Sequence, residues 1–168
     1  SSQIHVSDSD IQVVVPIRRT GSRAPEPPSR AADARLPGTR FLLSQHRYYE
    51  ALLELAEAGA YPMPAQGGHE DQGWLLAEAF IGFNMLERAS LVLRNLDPDA
   101  RPQTWRRLHV FLADNLVQRQ DWMGALRALD ATRAQVDLNS DDEWHELRIQ
   151  ALLGLGRFAD VAEHVDGI

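Results

Sequence analysis

Apolar positions in residues 38–168 recur with a period of 36 to 38 residues. Small or β-branched residues stand at the repeat positions Ala51, Ala89, Ala125 and Val161. Three further positions are apolar or aromatic in every unit. Three residues before the repeat position stand Tyr48, Leu86, Trp122 and Phe158; nine before stand Leu42, Phe80, Leu116 and Leu152; four after stand Leu55, Leu93, Leu129 and Val165. A polar break precedes each repeat position: SQHR, GFNM, QRQD and LGR. A fixed period of this length with one internal break predicts helix, tight turn, helix in each unit.

Small residues inside these apolar helices are predicted to mark the points where two helices touch. In LLAEAFIGFNMLERASLVLRNLDP, residues 75–98, Ala89 would pack on Ala77, and Ala125 would pack on Ala113 in the next unit. The Pro- and Gly-rich residues 61–73 are predicted to form an irregular connection. Ser140 with Glu143 has the spacing of a capping box ahead of the last unit.

Residues 1–37 have a different character. The run IQVVVPI, residues 11–17, favours a strand, but Pro16 confines it to a sheet edge or an isolated arm. Residues 18–30 have the Pro, Gly, Ser and Arg content of an extended linker. We therefore predict two parts, an extended arm over 1–37 and a helical repeat domain over 38–168. The arm would serve as a tether, as a strand on its own domain or as a strand added to a partner's sheet.

Composition narrows the classes of protein. The 168 residues are 44% apolar and 24% charged, which is typical of a globular chain, and no apolar run is long enough to span a bilayer. A formal charge of −7 argues against nonspecific nucleic-acid binding. Cysteine is absent, which excludes disulfides and thiolate sites.

Motifs for catalysis or metal binding are weak. Asp137, Asn139 and Asp141 have the spacing that opens a calcium loop, but the sixth and twelfth places carry Asp142 and Arg148 rather than Gly and Glu. The six histidines are scattered, and neither a Gly-rich phosphate loop nor a GxSxG elbow occurs. We therefore expect no enzyme activity, no metal and no cofactor.

The repeat resembles the tetratricopeptide repeat family over residues 38–168. The segments LLAEAFIGFNMLERASLVLRNLDP and ELRIQALLGLGRFADVAEHV carry its small-residue spacing and its helix-turn-helix pattern. The resemblance implies an all-α, right-handed solenoid of antiparallel helix pairs, with three to four units. The last unit, which ends without an evident capping helix, would be covered by further repeats, by the arm or by a partner.

In this family the first helices of successive units line a concave groove that binds protein segments. Carried onto this sequence, the groove residues are Asp71, Trp74, Glu78, Arg107, Val110, Asp114, Gln118, Glu146 and Gln150. The resemblance thus implies an acidic groove that favours a partner segment with basic and apolar residues. Trp74 would either contact that partner or pack in the core between units.

The function expected from the resemblance is that of a noncatalytic protein-interaction scaffold. It would act in bacterial envelope assembly or as a chaperone in secretion, alone, as a homo-oligomer or in a larger complex. A start without Met favours an exported protein of the bacterial periplasm or envelope over a cytoplasmic one. Two alternatives stay open. One is a carbohydrate-polymer binding module of an exopolysaccharide export system, with Trp74, Tyr48 and Tyr49 stacking on sugars; the other is an enzyme whose active site lies in a missing part of the chain.

Overall fold

The computed structural model describes residues 38–60, 70–137 and 140–168, and every regular element within these ranges is helical. A 3-10 helix, Arg133–Gln135, accompanies eight α-helices. These are α1 (residues 38–44), α2 (Tyr48–Glu57), α3 (Glu70–Gly82), α4 (Leu86–Arg94), α5 (Pro102–Gln118), α6 (Trp122–Asp130), α7 (Asp142–Gly154) and α8 (Phe158–Asp166). The all-α prediction is confirmed for these ranges, whereas the arm predicted over residues 1–37 lies outside them.

The turns predicted inside the repeat units share one backbone conformation. Three residues join α1 to α2, α3 to α4, α5 to α6 and α7 to α8. The middle residue of each has a positive φ: 57° at His46, 66° at Asn84, 60° at Gln120 and 68° at Gly156. In each turn the last residue donates a backbone hydrogen bond of 2.8–2.9 Å to the carbonyl oxygen five residues earlier, which belongs to Leu42, Phe80, Leu116 or Leu152. This is the Schellman end of a helix, and it recurs with the period of the sequence.

Small residues allow close packing in the core. Ala51, Ala89 and Ala125 are fully buried, and so are Ala77 and Ala113, the positions predicted to face two of them. Consecutive helices from α2 to α8 pack against each other, and α5 also contacts both α3 and α7. Since an alanine side chain adds little width, two helix backbones can approach closely where such residues lie at the contact.

The apolar pattern is less buried in the last helix. Phe158 is 68% exposed and Val165 is 51% exposed, although both occupy positions that are apolar in every unit. Val161 is only partly buried. Within the described ranges α7 is the helix that packs on α8, so the opposite face of α8 lies open.

Two helix starts differ from the prediction. α3 begins at Glu70, so the irregular connection predicted to end at residue 73 ends earlier. The N-cap of α7 is Asp141, whose side chain accepts a hydrogen bond from the Trp144 amide at 3.4 Å. The Ser140 hydroxyl instead donates to Asp137 Oδ2 at 2.8 Å, so the predicted capping box is wrong. Asp141 can cap the helix and pair with Arg106 at once, which a serine cannot do.

Candidate functional site

Two adjoining hollows lie along the first helices of the units. The first hollow, about 290 Å³, is lined by Arg40, Leu43, Ser44, Trp74, Leu75, Glu78, Arg101, Thr104 and Arg107. The second hollow, about 320 Å³, is lined by His46, Tyr48, Glu78, Arg106, Arg107, Val110, Phe111, Asp114, Asp141 and Glu143. Glu78 and Arg107 belong to both, and their bidentate ion pair, 2.6 and 3.3 Å, joins α3 to α5 between the hollows.

The second hollow contains both ion-paired side chains and carboxylates that have no ion pair within the described ranges. Arg107 is bound to Glu78, and Arg106 forms an ion pair with the nearly buried carboxylate of Asp141. Asp114 accepts a hydrogen bond from Gln118 at 3.2 Å, but within the described ranges neither it nor Glu143 has an ion pair. Two arginines against four carboxylates leave a formal charge of −2 in this hollow.

Aromatic rings form one wall of the second hollow. The Tyr48 ring lies directly over the backbone of Gly82, where a Cβ would overlap it, and its centroid is 6.3 Å from that of Phe111. The Tyr48 hydroxyl is 2.7 Å from His46 Nδ1. Burial and then the charge of Glu78 raise the pKa of Tyr48, against a smaller lowering by Arg107, so the phenol is neutral at physiological pH.

The first hollow is cationic rather than acidic. Asp71 forms ion pairs with Arg101 and, at 3.4 Å, with Arg40, so its charge is neutralised. Trp74 is only 2% exposed and meets the Trp105 ring edge-on at a centroid distance of 6.4 Å. Of the two alternatives for Trp74, the structure favours the core side chain. Of the two hollows, the second has the acidic lining that the resemblance implies, and the first does not.

The nine predicted groove residues divide into three groups. The second hollow brings together Glu78, Arg107, Val110 and Asp114, although Val110 is buried in its floor. Asp71 and Trp74 belong to the region of the first hollow. The remaining three line neither hollow: Gln118 bonds back to Asp114, and Gln150 donates to Glu146 at 3.2 Å on the exposed face of α7.

Six residues of the second hollow were not among the nine predicted groove residues: His46, Tyr48, Arg106, Phe111, Asp141 and Glu143. One signal in the sequence could have located Tyr48. A glycine ends the first helix of the next unit, at Gly82, and a glycine at a helix end can admit an aromatic ring against the backbone. The ion pair of Arg106 and Asp141 spans 35 residues and has no comparable local signal.

No group of three or more His, Cys, Asp or Glu residues that could hold a metal ion was found among the described residues. Nor does any described helix combine the length and the apolar composition needed to cross a membrane. In the described part of the chain, the second hollow combines two ion-paired arginines, two carboxylates without ion pairs and the rings of Tyr48 and Phe111.

Comparison of the chain with protein-family models, with curated proteins and with solved structures gave no match.

Proposed function

We propose that the chain is a noncatalytic protein-binding scaffold whose helix pairs stack as a right-handed, tetratricopeptide-like solenoid. Three observations support this arrangement. The same Schellman turn occurs four times with the sequence period, the alanines at the predicted helix contacts are fully buried, and α5 touches both α3 and α7. Units that stack in this way present their first helices on one continuous surface.

The single observation that carries the proposal is the charge pattern of the second hollow. Glu78, Asp141 and their two arginines are mutually neutralised, whereas Asp114 and Glu143 lack ion pairs in the described part of the chain. Beside these carboxylates lie the rings of Tyr48 and Phe111. A cationic side chain with an apolar stem fits such a surface because it satisfies both features at once.

We therefore propose that the partner is a protein segment with a basic residue, Arg in preference to Lys, next to an apolar one. The guanidinium would lie between Asp114 and Glu143, and its stem would cross the Phe111 ring. Arg is favoured because its planar head binds carboxylates with two hydrogen bonds and stacks on aromatic faces. The apolar neighbour would contact Tyr48, where desolvation makes the larger contribution to affinity.

The carbohydrate alternative depends on exposed aromatic rings. Trp74 is buried, and Tyr48 is only partly exposed, with its ring packed on Gly82 and its hydroxyl hydrogen-bonded to His46, so it leaves room for a side-chain contact rather than for a stacked sugar ring. Tyr49 is 57% exposed, but it packs against Phe83 at 5.7 Å and lines neither hollow. The three rings on which the carbohydrate alternative is based therefore give it less support than the second hollow gives to protein binding.

A peptide selection tests the proposal. The immobilised protein is offered a display library of random twelve-residue peptides, and the captured sequences are read. We expect enrichment of Arg next to an aliphatic or aromatic residue, and affinity that falls with salt, since each exposed charge contact is screened.

Two variants of one helix provide the matched comparison. Glu143→Gln removes a carboxylate from the second hollow, whereas Glu146→Gln removes an exposed one that lines neither hollow. The first should weaken the selected peptides about tenfold and the second should leave them almost unchanged. Equal effects of the two variants, or captured peptides without basic residues, would contradict the proposal.

A further inference from the structure

Residues of the 3-10 helix, α7, α8 and the turn between α7 and α8 line another concave site, which shares no lining residue with either hollow. Its volume is about 410 Å³. We call it the arginine pocket, after its lining by Arg133, Arg148 and Arg157, which stand together with Trp144 and His164. Such a concentration of guanidinium groups is unexpected in a chain with a formal charge of −7.

Arg148 is a largely buried cation with few partners. Its side chain is 16% exposed, and its guanidinium carbon lies 5.9 Å from the centre of the Trp144 ring. Nε donates to Asp130 Oδ1 and Nη1 donates to His164 Nδ1, both at 3.4 Å, which is long for a charged donor. A guanidinium has five N–H groups, so most of its hydrogen-bonding capacity is unused by these two contacts.

The imidazole of His164 cannot neutralise this charge. Arginine only donates, so His164 Nδ1 accepts from Arg148, and the proton of His164 is on Nε2, which donates to His145 Nδ1 at 2.9 Å. Burial first, and then electrostatic interactions with Arg148, His145 and Arg133, lower the pKa of His164. His164 is therefore neutral at physiological pH and offers Arg148 no negative charge.

The charged residues that line the arginine pocket have a positive net formal charge. Arg157 donates to Asp160 at 2.6 Å, one helical turn apart, and this pair is self-contained. Arg133 is exposed and, like the exposed Glu163, has no ion pair within the described ranges. Three guanidiniums against two carboxylates give the lining a formal charge of +1.

We infer that the arginine pocket binds a phosphoryl group, held between the guanidiniums of Arg148 and Arg133. Asp130 is half exposed and forms an ion pair with Arg148 through Nε alone, at 3.4 Å. Phosphate oxygens would supply acceptors for the other N–H groups of Arg148 and a second, closer negative charge. The volume of about 410 Å³ exceeds that of a phosphate ion alone, so the pocket has room for the carrier of the group, either a small phosphorylated molecule or a phosphorylated protein side chain.

Titration with inorganic phosphate at constant ionic strength, followed by NMR of the histidine rings at pH 7.5, tests this inference. His164 should shift saturably, and its pKa should rise in phosphate, because the anion offsets the charges of Arg148 and Arg133. Arg148→Gln and Arg133→Gln should each weaken binding about tenfold or more. Arg133 is exposed, so its variant is informative even where loss of the largely buried Arg148 destabilises the fold. Arg127→Gln, which removes an exposed arginine outside the pocket, is the matched control.

Shifts equal to those caused by sodium chloride, or equal phosphate affinity in the native protein and in Arg133→Gln, would overturn the inference. Two further probes distinguish the carriers once phosphate binds. Glycerol 3-phosphate represents a small molecule, and an alanine peptide with one phosphoserine represents a protein side chain. Tighter binding of one probe than of inorganic phosphate supports the inference and identifies the carrier.

Discussion

The indole ring of Trp122 lies against the backbone of Gly154 so closely that a methyl group at position 154 would overlap it. Trp122 begins the second helix of one unit, and Gly154 ends the first helix of the next. Tyr48 and Gly82 stand in the same relationship two units earlier. An aromatic ring on a glycine is thus a repeated contact between successive units.

The contact predicts that Gly154→Ala destabilises the protein. Alanine stabilises a helix by about 1 kcal/mol relative to glycine, so the substitution would raise stability at a position where the methyl group meets no other atom. Here the ring and the new methyl group compete for the same space, and we expect a net loss of about 1 to 3 kcal/mol in the free energy of unfolding, measured in urea. Gly82→Ala should behave in the same way, because the Tyr48 ring fills that space.

Gly167→Ala is the control, since a Cβ there meets only backbone oxygens at 3.4 and 3.7 Å. It should change stability by less than about 0.5 kcal/mol. Equal stabilities for the Gly154 and Gly167 variants would show that Trp122 moves aside without cost.

The turn conformation predicts a stabilising substitution at Gln120. Its φ of 60° is left-handed, which costs a residue with a Cβ about 1 kcal/mol, whereas Gly156 occupies the same place at 68° without that cost. Gln120→Gly should therefore raise the free energy of unfolding by about 0.5 to 1 kcal/mol, and Gly156→Ala should lower it by about 1 kcal/mol. Gln118→Gly, at the last helical residue of α5, should be destabilising instead. A loss of stability in Gln120→Gly would mean that its side chain stabilises the turn.

The local parts of this fold could be predicted from sequence because they depend on residues close together in the chain. Turns, buried alanines and helix order all follow from periodic positions, and the structure confirms them. The ion pairs of the hollows could not be predicted, since Arg101 to Asp71 and Arg107 to Glu78 span 30 and 29 residues. They depend on the register between units, which also determines that Trp74 is buried.

The buried imidazole of His109 predicts a pH dependence of stability. Burial lowers its pKa below 6.5, and the hydrogen bond with the Trp105 carbonyl at 2.8 Å offsets this only in part. The unfolded chain then binds the proton more readily, so this contribution to stability is complete above about pH 6.5 and is lost as the pH falls toward the folded pKa.

Urea unfolding between pH 5 and 7 measures this effect. His109→Asn keeps a donor near the Trp105 carbonyl and removes the titrating group, so its stability should fall less steeply with decreasing pH than that of the native protein. His164, whose pKa is also lowered, is present in both proteins and cancels in the comparison. Identical slopes would contradict the assignment of the pH dependence to His109.

The central claim is that the carboxylates of the second hollow hold a basic side chain of a partner segment, and a charge exchange tests it most directly. Asp114→Arg reverses one charge at a partly exposed position whose described hydrogen bond is with Gln118. Binding of a selected Arg-containing peptide is measured by fluorescence anisotropy, together with that of the same peptide with its Arg replaced by Glu. We predict that Asp114→Arg weakens the first peptide at least about tenfold and binds the second more tightly than the native protein does. Unchanged affinity of the variant for the Arg peptide would contradict the account. So would a variant that binds the Glu peptide no more tightly than the native protein does.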